Sequence, residues 1–207
     1  MPHADASLVP PTISTKSEFW DHVHEQLSYL LEDQRHWVSN LANASALIYH
    51  SLLAFSSHFG SGDRAVNWCG FYLTSTLFPK PHILGKTSND DVNASQDINS
   101  LLLGPFCGKP ACQFINVAPD NARGVCAEAF LQGKIILVQD VDAYPGHIAC
   151  DGDTKSEIVC PLILRSRDEQ RVIGVLDLDC LALSGFDEED RAGLEKIAEL
   201  VVKSCDW

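Results

Sequence analysis

The chain has 207 residues, 45% of them hydrophobic, enough for one domain around a single substantial core. Fifteen basic residues stand against 28 acidic ones, and the net charge of −13 has the wrong sign for a phosphate backbone, so no nucleic-acid partner is expected. Apolar runs such as Ile135–Val138 fall far short of the ~20 residues that cross a bilayer, and Met1–Asp5 has neither the basic stretch nor the apolar run of a leader. No membrane association is expected, and the expected location is cytoplasmic.

Residues 1–14 hold three prolines and read as a flexible N-terminal arm, leaving 15–207 as a single domain. Thr15 and Glu18 have capping-box spacing, and Phe19, Val23, Leu27, Leu30 and Leu31 continue a helix from there. A second helix is predicted over about 34–55, with Trp37, Leu41, Ile48 and Leu52 on one face. Asn67–Leu73 reads as a strand. Residues 74–100, with Pro79, Pro81, Gly85 and a polar run, read as a long surface loop. Short strands and marked turns follow, with 135–138, 158–164 and 172–179 as the strand candidates. Asp187–Asp190 supplies the acids that suit the start of a last helix carrying Leu194, Ile197 and Val201. Helices flanking a run of strands predict an α+β fold with an antiparallel sheet.

Eight cysteines are too sparse in a chain of this length for a secreted disulfide scaffold. No C-x-x-C pair or Cys/His cluster has zinc spacing, so no metal site is expected. Cys69, Cys160 and Cys180 fall in or beside strands and read as small buried hydrophobes, and Cys205 as incidental. Cys107, Cys112, Cys126 and Cys150 fall on segments that read as turns. His147 could favour a thiolate at Cys150, whereas Asp151, Asp153 and Glu157 oppose it. In Val175–Asp179, Asp177 and Asp179 share one strand face opposite Leu176 and Leu178. Alternation by itself reads as a solvated face; the sharper alternative is the floor of a polar pocket.

Six motifs occur in order: Asn67–Tyr72, Leu103–Cys112, Gly124-Val125-Cys126, Gly146–Asp151, Ser156–Val159 and Gly174–Asp179. Together they resemble the free methionine-(R)-sulfoxide reductases, over about residues 18–205. The resemblance implies a GAF domain: a central antiparallel sheet of about six strands, with helices packed on one face and a closed ligand pocket on the other. It implies reduction of free L-methionine (R)-S-oxide to L-methionine, sparing protein-bound sulfoxide, as a defence against oxidative stress. It further implies no bound cofactor, reduction by thioredoxin and ultimately NADPH, and suggests a homodimer.

By the same resemblance Cys150, Cys112 and Cys126 are the catalytic thiols, and Trp68, Glu157, Asp177 and Asp179 bind the substrate. Cys150 would attack the sulfoxide and become a sulfenic acid. Cys112 is the first choice to condense with it and Cys126 to relay the disulfide, although either loop closes readily and the order stays open. Three crowded carboxyls cannot all ionise cheaply, so the pKa of at least one should rise. Trp68 would pack against the substrate methyl. The chain departs from the family pattern at Ala127-Glu128, at an insertion over 119–122, in the long loop at 78–98 and at the extra thiol Cys107. The alternative reading is a non-catalytic GAF sensor of a small molecule.

Overall fold

The computed structural model describes residues 3–79, 99–148, 151–166 and 169–207. Thr15 caps helix α1 (Lys16–Leu30) through the expected reciprocal bonds with Glu18, and α2 runs Trp37–Ala54. The strands are β1 (Val66–Thr74), β2 (Ser100–Gly108), β3 (Phe114–Asn116), β4 (Ile136–Val138), β5 (Ser156–Arg165) and β6 (Gln170–Cys180). Helix α3 (Val125–Gln132) lies between β3 and β4, and α4 (Glu188–Lys203) follows β6. All strand pairs are antiparallel, in the order β3-β2-β1-β6-β5-β4.

Alternation sorts the central strands onto two faces. Cys69, Phe71, Leu73, Ile158, Cys160, Leu176 and Leu178 point into the larger core, which α1, α2 and α4 cover. Trp68, Tyr72, Val159 and Val175 point the other way and meet Val125, Cys126 and Ala129 of α3. The α+β GAF-type expectation therefore holds, with one refinement: a fourth helix lies on the pocket face.

Two helix starts are locked together. Asp187 caps α4 by accepting from Glu189 N at 2.9 Å and Asp190 N at 3.3 Å, while Asp190 accepts from Asp187 N at 2.9 Å. The buried Lys16 of α1 joins both acids, and Trp20 Nε1 donates to Asp190 Oδ1 at 2.9 Å. At Gly193 a Cβ would stand 2.1 Å from Trp20 Cγ, so only glycine lets these helices approach so closely.

Three local readings change. Gly104–Cys112 is not all turn, because β2 runs through Gly104 and Pro105 to Gly108. Those two residues oppose Phe71 in a register shift against β1, and the short β3 pairs only with Ser100–Leu102. Pro105 thus sits where the outer edge demands no N–H donor, and Gly104 where a Cβ would come within 3.0 Å of Phe71 O. Gly124–Cys126 is the start of α3 rather than a loop. Of the expected arm, His3–Ser7 forms a 3-10 turn with Ala6 buried, and Val9 and Ile13 pack on the helical core. Most of the expected loop at 78–98 lies outside the described residues.

Candidate active site

The central strands place the site's side chains side by side. Glu157 on β5, Asp179 on β6, Trp68 on β1 and Gly108 on β2 are consecutive partners across the sheet. Asp177, two residues before Asp179, stands on the next same-facing row, between Val159 and Gly70. The Trp68 indole lies across two glycines: a Cβ on Gly70 would be 2.6 Å from its Cη2, and one on Gly108 would be 2.7 Å from its Cδ1. Tyr72 and Phe106 stack on the same indole at centroid distances of 5.8 and 5.5 Å. A cavity of about 250 Å³ opens over this row. Trp68, Cys112, Cys126, Glu157, Asp177 and Asp179 all line it, as do His147 and Lys109.

Helix α3 brings the buried Cys126 thiol onto the acids. Its Sγ lies 3.3 Å from Asp177 Oδ2 and 3.9 Å from Glu157 Oε1. Burial first, then Asp177 and Glu157, hold this thiol far above the ordinary cysteine range, so it is no spontaneous thiolate. Cys112 is half-buried at the cavity wall, and its carbonyl accepts from Tyr72 Oη at 2.9 Å. Cys150, assigned as the attacking thiol, lies outside the described residues; Ile148 and Asp151 on either side of it in sequence both line the cavity. Cys107 is on β2, on the strand row opposite Cys69. Cys69, Cys160 and Cys180 are buried, as expected for packing thiols, and Cys205, read as incidental, is buried as well.

Desolvation dominates the acids. Burial pushes Glu157 up to about 7, partly offset by His147, whose Nε2 lies 3.3 Å from Glu157 Oε2. Asp177 is held well above the ordinary carboxyl range by burial and then by Glu157, and Asp179 by burial and then by Asp177. The face of Asp177 and Asp179 is therefore a pocket floor, not the solvated surface that alternation suggests. Two buried polar atoms of the cavity lining have no partner among the described residues: the acceptor Asp177 Oδ1 and the donor Trp68 Nε1. An orphaned acceptor and donor in one cavity wall leave hydrogen-bonding capacity for a polar guest.

Sequence reasoning missed four contributors. Lys109 Nζ bridges Asp151 and Asp153 at 2.9 Å each, relieving the negative charge that was expected to oppose a thiolate nearby. Tyr144 Oη donates to Glu128, the acid two residues after Cys126. Tyr72 and Phe106 fix the Trp68 plane. The lysine was legible only as part of the Gly108-Lys109-Pro110 motif, since no spacing rule connects it with residues 151 and 153. Cys126, Glu157 and Asp177 are the described residues whose donor atoms could converge on a cation, all within 4.8 Å of one another.

A family model described as the GAF domain matches residues 46–204. The free methionine-R-sulfoxide reductase of Saccharomyces cerevisiae is 42% identical over 181 residues, spanning 86% of this chain and 82% of that relative. The enzyme of the same name from Escherichia coli is 33% identical over 93% of both chains. The solved structure of free methionine-R-sulfoxide reductase from Neisseria meningitidis in complex with its substrate superposes with a TM-score of 0.69 at 33% identity, covering 96% of this chain and 95% of that one. With a GAF sheet, the six motifs in order and relatives matched over nearly their whole length, this chain belongs to the free methionine-R-sulfoxide reductases.

Proposed function

We propose that the chain reduces free L-methionine (R)-S-oxide to L-methionine by thiol chemistry, with Cys150 as nucleophile. The observation that carries this is the convergence of Cys112, Cys126, Glu157, Asp177, Asp179 and Trp68 on one small cavity. A sulfoxide sulfur becomes electrophilic once its oxygen is protonated. Attack by Cys150 then transfers the oxygen, giving methionine and a sulfenic acid on Cys150. A second thiol condenses with the sulfenic acid, forming a disulfide and releasing water. Thioredoxin's dithiol returns the pair to thiols and is itself oxidised.

The acids divide the work by their environments. Glu157, at about 7, is partly ionised at neutral pH and, with His147 beside it, suits the substrate ammonium. Burial and then Asp177 hold Asp179 well above the ordinary carboxyl range, which favours its protonated form, and it neighbours Trp68 across the sheet, so it is placed to donate to an oxygen whose methyl neighbour rests on the indole. Asp177 Oδ1 and Trp68 Nε1 offer the remaining polar contacts. Their demand for a complete amino acid disfavours a peptide-bonded residue, which cannot present a free ammonium.

Cys112, at the cavity wall, is the better first partner for the sulfenic acid, because Cys126 is buried and held protonated. A single-turnover experiment tests the sequence. Reduced protein mixed with free (R)-sulfoxide should yield one methionine and lose two thiols per chain, with the early disulfide mapping to Cys112 and Cys150. An early Cys126–Cys150 disulfide would reverse the order of the two thiols, and methionine formed without thiol loss would exclude the mechanism.

A further inference from the structure

The cluster behind the cavity has donor chemistry that substrate binding does not exhaust. We infer that Cys126, Glu157 and Asp177 form an inhibitory site for a thiophilic dication, Zn²⁺ or Cd²⁺. Tetrahedral zinc, with Zn–S about 2.3 Å and Zn–O about 2.1 Å, sets sulfur and oxygen donors roughly 3.5 Å apart. Cys126 Sγ stands 3.3 Å from Asp177 Oδ2 and 3.9 Å from Glu157 Oε1, and the three donors lie within 4.8 Å of one another. A metal can therefore enter with shifts of a few tenths of an ångström at the measured pairs.

Independent features point to a cationic guest. Asp177 Oδ1, on a carboxylate only 6% exposed, has no partner among the described residues. Lys109 at the cavity wall is taken up by Asp151 and Asp153, and Arg123 lies at the exposed rim. His147 Nε2, 3.3 Å from Glu157 Oε2, supplies the outer hydrogen-bond partner that orients ligating carboxylates. The cavity leaves a fourth coordination position for water. Binding forms the Cd–S or Zn–S bond as the Cys126 thiol proton leaves to solvent, together with any carboxyl protons; no electrons move. The bound ion occupies the acids assigned to the substrate ammonium and ties up one thiol, so substrate and metal exclude each other. The inhibition, though not the binding, rests on the function proposed above.

The test reads the metal–sulfur bond directly. Cys112→Ser/Cys150→Ser protein, reduced and freed of metal with EDTA, is titrated with CdCl₂ while the ultraviolet thiolate-to-Cd²⁺ charge-transfer band is followed. The band should saturate at one equivalent, and adding Asp177→Asn should weaken binding at least about tenfold. His147→Gln should weaken it by a similar factor, and Cys126→Ser should abolish the band. No band in the double variant, or a band that survives Cys126→Ser, overturns the site. Near-ultraviolet circular dichroism checks each fold, and the Asp177→Asn shift decides the matter should Cys126→Ser not fold. In the wild-type chain, Zn²⁺ should inhibit competitively with the free sulfoxide, reversibly by EDTA. A bound Cd²⁺ on a chain without turnover would sink the proposed function and leave the site standing; turnover without the band would do the reverse.

Discussion

Glu157 is the residue at which burial and function pull on the same proton. Its folded value of about 7 lies above the ordinary 4.5, so the folded state binds that proton more tightly than the unfolded chain does. The resulting stability is complete below about pH 4.5 and is lost as pH rises through 7. Thermal melts in EDTA should therefore show the Tm of the ligand-free protein falling across this window, and Glu157→Gln should flatten the fall. Asp179→Asn leaves the shape but removes the proton donor, so turnover should drop about 100-fold with little change in Tm; an unchanged rate in steady-state assays would strip Asp179 of that role. The pairing of Asp177 with Asp179 was visible as alternation, yet alternation does not say which face is wet. Here α3 brings Cys126 onto Asp177, a long-range contact that periodicity within β6 does not encode. Trp68, Glu157 and the thiols were legible only through the family motifs, because each is ordinary when taken alone.

At the scale of elements, local signals served the helix ends best. Thr15 with Glu18 marked α1 to the residue, since both halves of the capping box are local hydrogen bonds. The start of α4 was marked by its acids, but the buried Lys16–Asp190 pair joining it to α1 spans the chain and left no local trace. Asp190→Asn should cost about 3 kcal/mol by denaturant titration, because it leaves the buried Lys16 ammonium with only the half-exposed Asp187 carboxylate and the Gly185 carbonyl among the described residues. A loss below half that would show that water reaches Lys16. Strand β2 was hidden for the opposite reason: Gly104 and Pro105 are turn residues by propensity. The bulge opposite Phe71 and an outer edge with no strand partner among the described residues make them compatible with a strand. Helix α3 is just eight residues long and opens on Gly124, so it carried too few turns to display a period.

In the whole molecule, a single sheet does two jobs on its two faces. One face is sealed under α1, α2 and α4 and supplies the main core. The other trades apolar burial for a row of acids, an indole and thiols around a small cavity. The desolvation that raises the pKa of Asp177 and Asp179 depends on the packed sheet that buries both side chains, since strands free to part would admit water to them. A cavity of about 250 Å³ with an acidic floor is of the size an unattached amino acid needs. The most direct measurement is NADPH oxidation in a thioredoxin-coupled assay, with the R and S epimers of methionine sulfoxide offered free and peptide-bound. Turnover confined to the free R epimer and abolished by Cys150→Ser is the expected result. Comparable turnover of peptide-bound sulfoxide, or activity that survives Cys150→Ser, would contradict the account.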